Sequence, residues 1–85
     1  KSNNSYTNQS LISVFPNPTH SFLEVTSLYN IQQVELYSID GRVVFTTNIN
    51  LSKSATIDVS SLHSGFYFVK AVGDWGSKIV AFSKL

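Results

Sequence analysis

Apolar and polar residues alternate in short stretches of this chain, and turn residues separate the stretches. In residues 33–37, QVELY, Val34 and Leu36 fall on one face and Glu35 and Tyr37 on the other. A period of two is typical of a β-strand with one buried face, because successive side chains point to opposite sides. Nowhere do apolar residues keep a helical spacing over a competing length. The pattern predicts an all-β domain.

Seven stretches are predicted to be strands. Short strands at fairly regular spacing with turn signals between them favour an antiparallel, Greek-key β-sandwich of the immunoglobulin-like kind. The seven stretches are LISVF (11–15), FLEVT (22–26), QVELY (33–37), RVVFTTN (42–48), ATIDV (55–59), FYFVKAV (66–72) and SKIVAFS (77–83).

Two prolines, Pro16 and Pro18, follow the first predicted strand. Proline fixes φ, lacks an N–H donor and disfavours helical geometry in the residue before it, so Phe15 and Asn17 are both expected to be extended. The sequence therefore predicts a stiff corner that no helix crosses. It also predicts a tight hairpin turn at Asp40-Gly41, since Gly adopts the positive φ that such turns require.

A second structural signal lies in LHSGFY, residues 62–67. It resembles the tyrosine corner of Greek-key sandwiches, in which a Tyr at the start of a strand returns its hydroxyl to the backbone a few residues upstream. Tyr67 is therefore interpreted as a structural residue.

Composition narrows the class of protein. Of the 85 residues, 42% are hydrophobic and 13% charged, which favours a single globular domain over a disordered chain. No apolar run approaches the roughly 20 residues of a membrane span. A net charge of +1 disfavours nucleic-acid binding, and the absence of Cys excludes disulfides and thiol chemistry.

The beginning of the sequence suggests that the chain is an excised piece of a longer protein, because the first residue is Lys1 and no signal peptide follows. Residues 1–10 are polar and rich in Asn and Ser, which predicts a linker from something upstream. The domain is expected to span residues 11–85.

Catalytic and metal-binding chemistry find little support. No G-x-S-x-G elbow, zinc spacing or calcium loop is present, so no catalytic, cofactor or metal residue is predicted. Asp40 and Asp58 are expected to support turns. The remaining titratable candidates are assigned to solvated positions: His20 and His63 in loops, and Glu24 and Glu35 on outward strand positions.

Aromatic residues leave a binding role open. Trp75 lies in the turn Gly-Asp-Trp-Gly, and with Tyr6, Tyr29 and Tyr37 it is a candidate for stacking on a sugar or contacting a protein. An accessory module that binds glycans or spaces domains is thus one functional hypothesis, and an enzyme is a more distant one.

Four motifs in order resemble one family. They are V-F-P-N-P-T, V-x-L-Y-S-x-x-G-R-V-V, I-D-V-S-x-L-x-x-G-x-Y-F-V-K and a final strand ending in K-L. Together they are similar to the type A C-terminal sorting domain of the type IX secretion system, found on cargo proteins of Bacteroidota. The resemblance covers residues 11–85.

The resemblance implies a non-catalytic signal that takes its cargo through the periplasm and across the outer membrane. The implied partners are the outer-membrane translocon with its shuttle, and a sortase-like cysteine peptidase that removes the domain within residues 1–10. Many such cargoes are then attached to lipopolysaccharide on the cell surface. The motif positions that carry over are Pro16, Asn17, Pro18, Thr19, Gly41, Arg42, Gly65, Tyr67, Lys70, Lys78 and Lys84.

The cations among these positions have two interpretations. Arg42, Lys70, Lys78 and Lys84 are expected to be exposed, either to meet a partner or to protect strand edges from aggregation. The last strand is also a candidate for β-augmentation by a partner strand. Self-association of the domain through its edge strands is left open.

Overall fold

The computed structural model describes residues 11–85, and the regular structure among them is all β. Within that part of the chain no helix is long and apolar enough to cross a membrane. The strands are β1 (Ile12–Phe15), β2 (Phe22–Ser38), β3 (Val43–Asp58), β4 (Gly65–Gly73) and β5 (Gly76–Lys84). They form one antiparallel sheet, so the all-β prediction is confirmed.

The predicted number of seven strands is wrong, because the structure has five in residues 11–85. β2 joins the second and third predicted stretches, and β3 joins the fourth and fifth. The residues between these stretches, SLYNIQ (27–32) and INLSKS (49–54), mix polar and apolar side chains without a clear strand signal, but every non-proline backbone unit can still pair. The pairing of β2 with β3 continues through these residues but is irregular. Its register shifts between Thr26 and Ile31 and again between Ile31 and Gln33.

The two long strands divide the sheet into two halves. The first half of β2 pairs with β1 and with the second half of β3, which gives a three-stranded half. The second half of β2 pairs with the first half of β3 and with β4, and β4 pairs with β5, which gives a four-stranded half. A three-stranded half and a four-stranded half, both antiparallel, are compatible with an immunoglobulin-like sandwich.

Buried residues from both halves form a single cluster, so the sheet curls until its halves face each other. The three-stranded half contributes residues such as Leu23 and Val25, and the four-stranded half contributes Leu36 and Phe82. Burying one such side chain fully stabilises the fold by about 1.5–3 kcal/mol. The complete cluster is Ile12, Leu23, Val25, Ile31, Val34, Leu36, Ile57, Val59, Tyr67, Val69, Ala71 and Phe82.

Candidate functional site

The proline corner packs along the last strand. The Asn17 side chain accepts a hydrogen bond from the Ser83 N–H at 3.0 Å and donates one to the Ala81 carbonyl at 3.5 Å. Its amide therefore pairs with β5 much as a backbone unit of a neighbouring strand would. Pro16 and Pro18 on either side are exposed, and both of their preceding peptide bonds are cis.

Thr19 continues this pairing with its own backbone. Its N–H donates to the Ser83 carbonyl and its carbonyl accepts from the Leu85 N–H, both at 2.9 Å. The Thr19 side chain is fully buried, and its hydroxyl donates to the Phe22 carbonyl. Because β1 belongs to the three-stranded half and β5 to the other, the corner links the two halves of the sandwich.

Gly41 and Arg42 close the hairpin between β2 and β3. Gly41 has a φ of 88° and donates its N–H to the Ser38 carbonyl at 2.9 Å, while the Ser38 N–H bonds the Arg42 carbonyl at 2.8 Å. The Asp40 carboxylate accepts from the Ser38 hydroxyl and lies 3.6 Å from the Arg42 guanidinium. The Ser38 hydroxyl first, and Arg42 after it, lower the pKa of Asp40. The predicted turn at Asp40-Gly41 is confirmed.

The tyrosine corner is confirmed as well. The Tyr67 hydroxyl donates to the His63 carbonyl at 2.7 Å, and the Tyr67 ring is buried and stacked on Phe82 at a centroid distance of 5.7 Å. Gly65, which begins β4, has a φ of 146°, a region that side chains disfavour. These residues join the loop after β3 to the core.

Asp58 supports the turn that follows β3, as predicted. Its carboxylate accepts from the Ser60 hydroxyl at 2.6 Å and from the Ser60 N–H at 2.9 Å. These two bonds, the hydroxyl first, lower the pKa of Asp58. On the outward face of β2, the Tyr37 hydroxyl donates to the Glu35 carboxylate at 2.8 Å, and this bond raises the pKa of Tyr37.

Sheet register brings dispersed motif residues together at one end of the four-stranded half. Thr19 forms a bridge with Lys84, and Lys84 is the register partner of Gly65. Tyr67, two residues further along β4, faces the end of β2 that leads into the β2–β3 turn. We call this region, formed by the corner, that turn, the start of β4 and the end of β5, the motif end.

Of the four cations that were expected to be exposed, two are exposed, one is half-buried and one is buried. Arg42 and Lys78 are exposed, and Lys70 is half-buried. Lys84 is only 8% exposed, so its prediction as an exposed cation is wrong. Residue 84 is two positions after Phe82 on β5, so its side chain points to the same inner face of the sheet. The aliphatic part of a lysine can lie among apolar side chains while its ammonium reaches a polar atom. Here the Nζ donates to the Leu85 carbonyl at 3.0 Å.

Trp75 is less available than its turn position suggested. Its indole N–H donates to the Asn30 carbonyl at 2.8 Å, and the ring packs against the core. Tyr29 is exposed and Tyr37 is half-buried, whereas Tyr6 lies outside the described residues. The ring at the centre of the glycan-binding alternative is thus engaged within the protein.

The two histidine candidates, His20 and His63, are both exposed. Within residues 11–85, no group of three or more His, Cys, Asp or Glu side chains comes close enough to hold a metal ion. The predicted linker and processing region, residues 1–10, lies outside the described residues.

Sequence reasoning missed an apolar groove of about 450 Å³ on the outer face of the four-stranded half. The signal was present in FYFVKAV, where both phases of the alternation carry apolar residues. One phase fills the core, and the other leaves Phe66 and Phe68 exposed. The groove is lined by Tyr37, Gly41, Phe68, Lys70 and Ile79.

Comparison with known proteins identifies a family. A family model described as a secretion system C-terminal sorting domain matches residues 13–82. No curated protein and no solved structure matches the chain. The matched range begins in β1 and ends in β5, so it contains β2, β3 and β4 entirely and most of β1 and β5.

Proposed function

Since this chain belongs to the family of secretion system C-terminal sorting domains and is a C-terminal sorting signal for type IX secretion, we propose how its structure serves that role. Residues 11–85 act as a folded, non-catalytic signal on a cargo protein of a Bacteroidota bacterium. The outer-membrane translocon and its shuttle bind this folded surface. A sortase-like cysteine peptidase then cuts within residues 1–10 and leaves the cargo on the cell surface or in the medium.

The observation that supports this proposal most is the assembly of the motif end. Motif positions far apart in the sequence, such as Thr19 and Gly65, come together only when β5 closes against the corner. A partner that binds the motif end therefore distinguishes a folded domain from an unfolded one. Because the surface is formed in advance, little conformational entropy is lost on binding.

Recognition at the last strand is a more specific part of the proposal. β5 is paired with β4 on one side only, and the corner covers part of its other side. A partner strand that added to the remaining edge would form hydrogen bonds with its backbone groups and would contact the neighbouring apolar side chains. Exposed Lys78 and half-buried Lys70 lie beside this edge and would favour a segment that carries carboxylates.

An export assay tests the sorting role. Residues 1–85 are fused to the C-terminus of a fluorescent reporter with a signal peptide, and the fusion is expressed in Bacteroidota hosts with and without a working type IX system. We expect the reporter at the surface or in the medium only in the host with the system. Mass spectrometry of the exported reporter then locates the cut.

A control reporter and two possible outcomes complete the design of this assay. A reporter that carries residues 1–10 alone contains the proposed cut region without the folded signal, and should stay in the periplasm. Retention of the full fusion in both hosts would contradict the proposal and favour a spacer or binding module. Export without any cut would refute only the peptidase step.

A further inference from the structure

The outer edge of β5 is covered over half of its length. Pairing with β4 and alternation along the strand direct the N–H and C=O groups of odd-numbered residues away from β4. Three hydrogen bonds show this direction: the Ser83 N–H donates to Asn17, the Ser83 carbonyl accepts from the Thr19 N–H, and the Ala81 carbonyl accepts from Asn17. The corner thus covers the edge from the Ala81 carbonyl to the end of the strand.

The first half of the same edge is open. Among residues 11–85, nothing pairs with the outward N–H and carbonyl groups of Ser77 and Ile79, or with the outward N–H of Ala81. Ile79 is 58% exposed and lines the apolar groove together with Phe68. An open edge beside exposed apolar side chains is a template for another strand.

The length and position of the open stretch are self-complementary. It comprises residues 77–81 and is centred on Ile79. Two copies running antiparallel about a two-fold axis at Ile79 would place Ile79 opposite Ile79, and Ser77 opposite Ala81. The outward N–H groups of one copy then meet the outward carbonyls of the other.

The boundaries of the stretch fit the same arrangement. In that register the residue opposite Ser83 would be Trp75, which lies in the turn before β5 begins at Gly76. The partner strand has therefore already ended at Ser83, and the one covered group that this register uses is the Ala81 carbonyl. That oxygen has two lone pairs, so it can accept from Asn17 and from the Ser77 N–H of the other copy.

Side chains are compatible with this register on both faces. On the outer face, the two Ile79 side chains extend the exposed apolar surface of Phe68 across the axis. On the inner face, Lys78 would lie opposite Val80, so no like charges face each other directly. Apolar pairs across strands stabilise a sheet, and directly opposed like charges destabilise it.

We propose that residues 77–81 pair with the same residues of a second copy, joining two four-stranded halves into one continuous eight-stranded sheet with two-fold symmetry. The contact is isologous, so it closes at two chains and does not propagate. It occupies the edge that a partner strand would use in export, and the two modes of pairing exclude each other. The inference goes beyond the sorting role and does not depend on it.

A charge exchange at the axis tests this inference. Sedimentation equilibrium of the 85-residue chain is measured over a series of concentrations for the wild type, for Ile79→Lys, for Ile79→Glu, and for a 1:1 mixture of the two variants. We expect reversible dimerisation of the wild type and loss of dimer in each variant alone. The mixture should regain the dimer, because the two-fold axis places residue 79 opposite itself.

Matched controls carry the same charges on the other outer strand of the four-stranded half. Asn48→Lys and Asn48→Glu introduce these charges at an exposed position of β3, and both variants should dimerise like the wild type. Ile79→Val, which keeps the backbone and an apolar side chain, should also dimerise. A monomeric wild type across the whole series, dimers in either charged variant alone, or a mixture that stays monomeric would each overturn the proposal.

A second measurement needs no substitution. Hydrogen exchange of the Ile79 amide in the wild type should slow as concentration rises, because pairing protects this outward N–H. The Lys53 amide, on β3, serves as an internal reference whose exchange should not change with concentration. An Ile79 amide that exchanges at one rate throughout would contradict the two-fold contact.

Discussion

At the scale of single residues, several side chains that looked chemically active turn out to hold the backbone in place. Tyr67, Asp58 and Asp40 each bond a group within four residues along the chain. Tyr and Asp side chains occur in catalytic sites as well as in turns. In the sequence, only the positions of these three residues beside turn residues indicated a structural role. Lys84 shows the limit of such reasoning, because its charge indicated exposure while its phase on β5 made it buried.

Removal of the Tyr67 hydroxyl should destabilise the domain. Tyr67→Phe leaves the ring on Phe82 but deprives the His63 carbonyl of its donor. We expect the free energy of unfolding to fall by about 1–3 kcal/mol, measured by urea denaturation. Tyr29→Phe, at a 55% exposed position, is the matched control and should change it by less than about 0.5 kcal/mol. Equal effects of the two substitutions would argue against the tyrosine corner as a stabilising contact.

The Asp58 carboxylate should titrate below its ordinary range. The Ser60 hydroxyl and N–H lower its pKa in the folded chain, so its contribution to stability is present above the unfolded pKa. That contribution is lost as the pH falls through the lowered pKa of the folded state. NMR titration of the Asp58 side chain should show this, and Ser60→Ala should raise the pKa. An unchanged pKa in Ser60→Ala would contradict the assignment to the hydroxyl.

Gly73 is predicted to be intolerant of a side chain. A Cβ at this position would lie 2.2 Å from Trp75 Nε1 and 2.5 Å from the Asn30 carbonyl oxygen. We expect Gly73→Ala to lower the free energy of unfolding by about 1–3 kcal/mol, since the backbone at Asn30 would have to move. Thermal unfolding measures this, with exposed Ser77→Ala as control. A stability equal to that of the control would show that the turn can shift at no cost.

At the scale of elements, the alternation of side chains located the buried strand positions but not the ends of the strands. Val34 and Leu36 are buried as the pattern predicted, while residues 27–32, which were not predicted to be a strand, continue the same strand. Side-chain burial follows the sequence directly, whereas backbone pairing depends on what lies alongside. The double-proline corner was predicted as stiff, but its contact with β5 was not.

The corner should hold the last strand through Asn17. Asn17→Ala removes the side-chain bonds to the Ser83 N–H and the Ala81 carbonyl. We expect faster hydrogen exchange at the Ser83 amide and a loss of about 0.5–1.5 kcal/mol of stability. Asn48→Ala, on exposed β3, is the matched control. Unchanged exchange at Ser83 would mean that the Thr19 backbone suffices to hold the corner on β5.

At the scale of the whole molecule, one curled sheet makes both the core and the motif end, so folding and sorting are expected to be linked. Phe82 lies in the core and in the strand that completes the motif end. A small domain has little stability to spare, and the loss of one buried ring is a large fraction of it.

Phe82→Ala should therefore abolish export of the reporter fusion. The cavity costs about 3–5 kcal/mol, which is comparable to the whole stability of a small domain. Phe22→Ala, at a 55% exposed position on β2, is the matched control and should be exported like the wild type. Export and circular dichroism are measured together. Full export of an unfolded Phe82→Ala fusion would show that the machinery reads sequence and not fold.

The sequence by itself determined the fold class, some buried positions such as Val34 and Leu36, two turns, the tyrosine corner and the family. These features depend on local periodicity, on the φ preferences of Gly and Pro, and on motif spacing, all of which the chain carries directly. Only the tertiary structure decided that two long strands span both halves, that Lys84 is buried, that Asn17 pairs with β5, and that residues 77–81 stay open. Each of these depends on contacts between residues far apart in the chain, and linear spacing does not specify which edges meet.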